Sequence, residues 1–148
     1  MRYNWDHLSN LQLGKYAEYF VKMKFTLAGF DVYTSEVDDK GIDFIIRKND
    51  DIYYDVQVKS VRGFNYIFIS KDKFNLRRNL LAAIVIFLEI DSPKIYLIPS
   101  IKWYNANKLL VSRDYEGRKS KPEWGLNISK RNFNLLMEFE FDKVAETL

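Results

Sequence analysis

Polar side chains that could carry out chemistry alternate along a strand predicted over residues 52–61. Because successive side chains of a strand point to opposite faces, Asp55, Gln57 and Lys59 share one face, and the valines between them point to the other. A carboxylate, an amide and an ammonium group therefore follow one another where a buried strand would be expected to carry apolar groups.

A second carboxylate lies on the preceding predicted strand. Asp43 comes near the start of a β-branched and aromatic segment over residues 42–47, and a polar turn over residues 48–51 joins the two strands into a hairpin. Pairing about the turn centre sets residue 43 opposite residue 56 or 57. We therefore expect the side chains of Asp43 and Gln57 to be neighbours.

These groups fit a hard divalent cation next to a phosphate. Mg²⁺ takes oxygen ligands, usually one or two carboxylates with water in the other positions. Asp43 can supply a carboxylate, Gln57 a neutral oxygen and the backbone carbonyl of Val58 a third ligand. Lys59 can hold or deprotonate a water for attack on phosphorus and stabilise the charge that builds there. The alternative is a solvated polar row that keeps the hairpin edge from pairing with another strand.

The elements that must position these residues predict a mixed α/β or α+β fold around one central sheet. Apolar residues at helical spacing predict a first helix over residues 11–28, with Gly29 as its stop. Further strands are predicted over residues 30–34, 65–70, 82–90 and 94–98, further helical segments over residues 71–79, 101–105 and 129–137, and loops over residues 115–122 and 122–125.

The composition is that of one globular domain, which we expect to span residues 1–148. Apolar residues make up 47% and charged residues 29% of the chain, as in folded proteins. With no cysteine and one histidine, thiol nucleophiles, disulfides and histidine-rich metal sites are excluded. No apolar run approaches the roughly 20 residues of a membrane span, and the first residues lack the apolar core of a signal peptide. We therefore expect a soluble, cytoplasmic protein.

Two parts of the chain resemble a known group of enzymes. Residues 41–43 (Gly-Ile-Asp) followed by residues 57–60 (Gln-Val-Lys-Ser) resemble the core of the PD-(D/E)XK nuclease superfamily, in the variant where Gln replaces the second acid. Residues 14–18 (Gly-Lys-Tyr-Ala-Glu) are similar to the Gly-x-x-Ala-Glu helix of archaeal Holliday-junction resolvases and Mrr-type restriction enzymes. The resemblance covers about residues 13–61 and implies a restriction-endonuclease-like αβββαβ core with extra C-terminal strand and helix elements.

This resemblance implies an Mg²⁺-dependent endonuclease that hydrolyses DNA to 5′-phosphate products, with Mn²⁺ as a substitute cofactor. It assigns Asp43 as the principal metal ligand, Gln57 as the second and Glu18 as a further one, with Lys59 as the catalytic lysine. Cutting both strands of a duplex requires two active sites, so the resemblance implies a homodimer or a higher oligomer.

Gln57 also sets this chain apart from the family pattern. An amide in place of the second acid lowers the negative charge of the site and should weaken metal binding. The alternative function is a nucleic-acid-binding or protein-interaction module that kept the fold and lost turnover. Asp55 shares the face of Gln57 and could extend an acidic cluster, whereas residues 38–40 (Asp-Asp-Lys) match the acidic-x-Lys pattern only within a polar loop.

Basic residues form two groups that could contact DNA phosphates. The net charge of +3 leaves a polyanionic partner open without requiring one. The residues predicted to bind nucleic acid are Arg77 and Arg78 in the first group and Arg118, Lys119 and Lys121 in the second. The six glycines form no phosphate-cradling loop, which disfavours a nucleotide-dependent small-molecule enzyme. Aromatic side chains such as Tyr66 and Trp124 could stack on bases, but we expect them in the core or at its rim.

Overall fold

A computed structural model describes residues 3–37 and 40–148, so the acidic residues 38 and 39 lie outside the described part of the chain. The helices are α1 (Asn10–Leu27) and α2 (Phe141–Ala145). The strands are β1 (Asp31–Thr34), β2 (Phe44–Arg47), β3 (Tyr53–Arg62), β4 (Tyr66–Ser70), β5 (Leu80–Phe87), β6 (Lys94–Pro99), β7 (Leu110–Arg113) and β8 (Glu123–Asn127). Short 3₁₀ helices span Lys71–Lys73, Ser100–Tyr104 and Phe133–Phe139.

The central sheet has five strands in the order β1-β2-β3-β5-β6. Strands β3 and β5 run parallel, and the other neighbouring pairs are antiparallel. All eight residues of β5 are buried, because both of its faces are covered, as its unbroken apolar sequence predicts. The predicted hairpin is confirmed by the pairing of Phe44 with Val56.

Helix α1 packs on one face of this sheet and confirms the helix predicted over residues 11–28. A capping box between Ser9 and Gln12 starts the helix, and Gly29 follows its end with φ +91°. The rings of Phe25 and Phe44 meet edge-on, with their centroids 6.1 Å apart. The buried residues recur at every fourth position: Leu13, Ala17, Val21 and Phe25.

A second sheet, in the order β4-β8-β7, was not predicted. The sequence predicts one sheet and a loop over residues 122–125, but Glu123–Asn127 forms β8. Glycine weakens a strand pattern, yet Gly125 is needed here, since a Cβ at this position would lie 2.0 Å from the Tyr66 hydroxyl oxygen. Ile67, Ile69 and Leu126 of this sheet join the same apolar core.

The helix predicted over residues 71–79 is wrong, because only Lys71–Lys73 forms a 3₁₀ turn. The backbone groups that such a helix would pair internally have other partners. The carbonyl of Phe74 accepts from the Trp124 indole at 3.0 Å. The Ser100 hydroxyl accepts from the Arg77 amide at 2.9 Å and donates to the Arg77 carbonyl at 2.7 Å. These contacts fix the segment between β4 and β5 without a regular helix.

The C-terminal region also differs in detail from the prediction. The helix predicted over residues 129–137 is a 3₁₀ helix, Phe133–Phe139, followed by the short α2. The ring of Phe141 in α2 packs 4.9 Å from that of Phe25 in α1, so the end of the chain closes the core beside α1. Within the described residues, no helix combines the length and the apolar character that crossing a bilayer would require.

Candidate active site

Asp43 lies immediately before β2 and is fixed to β3 by two hydrogen bonds. Its backbone amide donates to the carbonyl of Val56 at 2.9 Å. Its carboxylate Oδ2 accepts from the backbone amide of Val58 at 2.6 Å. A short distance of this kind is typical of a charge-assisted hydrogen bond. The register of the hairpin therefore holds the Asp43 carboxylate against the backbone between Gln57 and Lys59.

Gln57 is buried in the middle of β3 with 7% of its surface exposed. Its side-chain Oε1 accepts no hydrogen bond from any residue in the described part of the chain. The neighbouring strand β5 presents only Ala82 opposite it. Leaving a buried carbonyl oxygen without a donor costs about 1–3 kcal/mol, so this oxygen is an exception within a well-bonded sheet.

Gly41 forms the wall of the site next to this oxygen. Its φ of +75° lies in the left-handed region that glycine adopts readily. A Cβ at this position would lie 3.0 Å from the Lys73 carbonyl oxygen and 3.7 Å from Gln57 Oε1. The loop before β2 and the 3₁₀ turn after β4 thus approach each other directly beside Gln57. Neither Gly41 nor Lys73 was predicted as a site residue, although a glycine two residues before Asp43 was a signal in the sequence.

Lys59 is half-buried on the same face of β3 as Gln57 and lies opposite Ile84 of β5. Its ammonium forms no ion pair or hydrogen bond with any residue that the structure describes. Because the Asp43 carboxylate is bonded to the intervening Val58 amide, the structure brings Asp43, Gln57 and Lys59 to the same stretch of β3.

Asp55 shares this face but has a different role. Its Oδ2 lies 2.5 Å from Arg77 Nη2, and its side chain is 14% exposed. The carboxylate is thus neutralised by a guanidinium. Among residues 3–37 and 40–148, no three His, Cys, Asp or Glu side chains are grouped closely enough to hold a metal ion. The acidic cluster that Asp55 could have extended does not form within those residues.

Glu18 lies on the side of α1 that faces the start of β2. Its carboxylate is 3.0 Å from Lys22 Nζ and 3.6 Å from Lys15 Nζ. Lys22 Nζ in turn lies 5.5 Å from the ring centroid of Phe44, the residue after Asp43. Glu18 is therefore held by lysines near the strand that carries Asp43.

The predicted DNA-binding residues separate into two places. Arg77 lines a cleft of about 360 Å³, and the exposed Arg78 follows it. The exposed Arg118, Lys119 and Lys121 lie in the loop between β7 and β8. The other residues that line the cleft come from the loop before β2, from the 3₁₀ turn, and from the segment between that turn and the start of β5: Lys40, Ile42, Asp72, Lys73, Asn75 and Leu80.

The groups present fit a hard divalent cation. Asp43 offers a carboxylate and Gln57 a neutral carbonyl oxygen, the two kinds of ligand that Mg²⁺ accepts in proteins. The buried Gln57 Oε1 has no donor among the described residues, and a cation would satisfy it.

No family model matches the chain, and no curated protein is similar to it. Among solved structures, the chain is similar to Hjc, a Holliday junction resolvase from the archaeal hyperthermophile Archaeoglobus fulgidus. The TM-score is 0.57 at 14% sequence identity, over 90% of this chain and 96% of the other. This chain shares the fold of that resolvase. The restriction-endonuclease-like fold implied by the sequence resemblance is thereby confirmed.

Proposed function

We propose that this chain is a metal-dependent endonuclease that hydrolyses DNA. One observation carries the proposal. The Asp43 carboxylate accepts a hydrogen bond from the backbone amide of Val58 at 2.6 Å, which holds it between the buried Gln57 side chain and Lys59 on β3. The fold shared with a Holliday junction resolvase supports it, since that protein acts on DNA junctions.

Each residue of the site has a distinct part in this proposal. Asp43 and Gln57 hold Mg²⁺, or Mn²⁺ in its place, with the Val58 carbonyl and Glu18 as further ligands. The cation supplies a Lewis acid for the phosphodiester and a more acidic water. Lys59 orients the attacking water and stabilises the negative charge that develops on the phosphate.

In this proposal, the two basic groups bind the DNA. Arg77 and Arg78 contact phosphates beside the cleft, and Arg118, Lys119 and Lys121 contact them from the β7–β8 loop. Such contacts position a duplex without reading its sequence and weaken as salt rises. We propose that residues 1–148 act as one domain, as a homodimer or higher oligomer in the cytoplasm, with one active site in each copy.

A specific observation favours a second candidate function, a DNA-binding or protein-interaction module without turnover. The site has an amide where the resemblance expects an acid, and residues 3–37 and 40–148 form no three-acid group. A site with less negative charge binds a divalent cation less tightly.

Cleavage assays distinguish the two functions. Plasmid, four-way-junction and single-stranded DNA are incubated with the protein and Mg²⁺ or Mn²⁺. We expect the wild type to nick at least one of these substrates and Lys59→Ala to nick none. Lys102→Ala is the matched control, because Lys102 is an exposed lysine of the Ser100–Tyr104 3₁₀ helix and should cleave like the wild type. DNA binding without cleavage by the wild type would favour the module.

A further inference from the structure

The outer face of the second sheet presents an exposed aromatic side chain. Along β4, Ile67 and Ile69 point into the core, so Tyr66 and Phe68 point outward. Phe68 is 57% exposed and lies opposite Gly125 of β8. A large apolar ring on an open sheet face stays in contact with water unless a ligand or a partner covers it.

Tyr66, beside Phe68, is held flat against this face. Its hydroxyl donates to Oε2 of the buried Glu123 at 2.5 Å. Its ring lies across Gly125, where a Cβ would come within 2.6 Å of the ring carbon that bears the hydroxyl. The missing side chain at Gly125 and the acceptor at Glu123 together fix the plane of the ring.

A planar cation lies against the Tyr66 ring. The guanidinium carbon of Arg113 is 4.4 Å from the ring centroid of Tyr66, within the range of a cation–π contact. Arg113 is exposed, and it is the last residue of β7. Phe68 and the Tyr66–Arg113 pair are two planar groups on one face, and residues two apart on a strand are separated by about 6–7 Å.

Positive charge continues from this face into the β7–β8 loop. Arg118, Lys119 and Lys121 are exposed in that loop, which also carries the exposed Glu116, and Lys121 Nζ lies 3.7 Å from Asp72 Oδ2. Asp114, at its start, lies 2.7 Å from Lys71 Nζ, so its negative charge is largely compensated. Proteins that bind single strands combine stacking aromatic rings with a basic track for the backbone, and this face has both.

We propose that the outer face of β4-β8-β7 binds unpaired bases of a DNA strand, with bases stacked on Phe68 and on the Tyr66–Arg113 pair and phosphates on the β7–β8 loop. This proposal rests on the proposed function for the class of its ligand and deepens it. The substrate is DNA that contains unpaired bases, such as branched or gapped DNA, rather than an intact duplex.

Fluorescence anisotropy without divalent metal tests this binding apart from cleavage. The probes are a labelled oligothymidine strand and a blunt duplex of equal length at the same salt concentration. We expect Phe68→Leu, which keeps an apolar group but loses the planar ring, to weaken strand binding about tenfold and to leave duplex binding unchanged. Phe68→Tyr should restore strand binding. Tyr104→Leu removes an aromatic ring that is 69% exposed outside this sheet and should have no effect.

Several results would overturn the proposal. They are a wild type that does not bind the strand, a Phe68→Leu variant that binds it like the wild type, and equal losses for strand and duplex. A change of oligomeric state in Phe68→Leu on analytical ultracentrifugation would instead make this face an interface between copies of the chain. If Phe68-dependent strand binding persists in a protein that cuts no DNA, the nuclease proposal fails and this one stands.

Discussion

A polar side chain is buried in each of the two sheets, and the surroundings of the two side chains differ. In the second sheet, Glu123 is 9% exposed and accepts a hydrogen bond from the Tyr66 hydroxyl at 2.5 Å. In the central sheet, Gln57 is 7% exposed, and its Oε1 has no donor among the described residues. A buried group that is satisfied by the protein stabilises the fold, whereas an unsatisfied one is an exception that a bound ion or water can explain.

The surroundings of the two groups support this difference. Gly125 makes room for the ring that satisfies Glu123, since a Cβ there would meet the Tyr66 hydroxyl oxygen at 2.0 Å. Gly41 brings the backbone of the loop up to Gln57, where a Cβ would lie 3.7 Å from Oε1, yet none of the described residues donates to this oxygen. Gly125 thus makes room for a hydrogen bond that is formed, whereas Gly41 lies beside an acceptor to which no described residue donates.

The largest expected effect is on cleavage. Asp43→Asn should lower the rate of DNA cleavage by about 100-fold or more, because the variant loses the carboxylate that lies between Gln57 and Lys59. The asparagine oxygen can still accept from the Val58 amide, so circular dichroism should show the wild-type fold. Asp142→Asn removes an exposed carboxylate of α2; it is the matched control and should cleave at the wild-type rate. A cleavage rate for Asp43→Asn within a few-fold of the wild type would remove Asp43 from the site.

The next effect is on stability in the absence of metal. Tyr66→Phe deprives the buried Glu123 of its donor and should lower the free energy of unfolding by about 1–3 kcal/mol. Gln57→Leu replaces an acceptor that already lacks a donor, so it should change that free energy by less than about 1 kcal/mol or increase it. Urea denaturation of both variants gives the comparison. Equal losses would mean that the two buried groups do not differ.

A smaller effect concerns metal affinity. Gln57→Glu adds a second carboxylate beside Asp43 and should tighten Mn²⁺ binding by roughly tenfold, since affinity rises with the charge of the ligands. Without metal the same variant should be less stable than the wild type, because two carboxylates then repel each other in a buried place. Calorimetric titration with Mn²⁺ and thermal unfolding with and without Mn²⁺ measure the two effects. An unchanged affinity would place the metal elsewhere.

The smallest effect is a pH dependence of the second sheet. Burial, followed by the hydrogen bond to Glu123, raises the pKa of Tyr66 above the usual tyrosine value. A pKa that is higher in the folded state gives a stabilisation that is present below about pH 10 and is lost as pH rises further. The wild type should therefore lose stability in alkali more steeply than Tyr66→Phe. Urea midpoints measured on both sides of pH 10 test this, and parallel curves would contradict it.

The hairpin beside Asp43 could be predicted from the sequence because residues close together in the chain determine its structure. The turn over residues 48–51 sets the register of β2 and β3, and the alternation along β3 sets which side chains share a face. The helix α1 follows from the spacing of its apolar residues and from its caps at Ser9 and Gly29. What the hairpin could not reveal is that Gln57 Oε1 lacks a donor, since that depends on the approach of Gly41 and Lys73.

The second sheet could not be predicted because distant contacts determine it. In the sequence, Gly125 indicates a loop. Its reason is the ring of Tyr66, 59 positions earlier in the chain, which lies across it in the folded protein. The polar segment after β4 has helical character in its sequence, but hydrogen bonds from Trp124 and with Ser100 engage its backbone groups and prevent a regular helix. In both places, partners far along the chain override the local preference.

The most direct test of the account is a crystal structure of the protein with Mn²⁺, with the metal located by its anomalous scattering. We expect an anomalous peak within bonding distance of both the Asp43 carboxylate and Gln57 Oε1. An Asp43–Gln57 pair without a peak, in crystals of a protein that cleaves DNA with Mn²⁺, would contradict it.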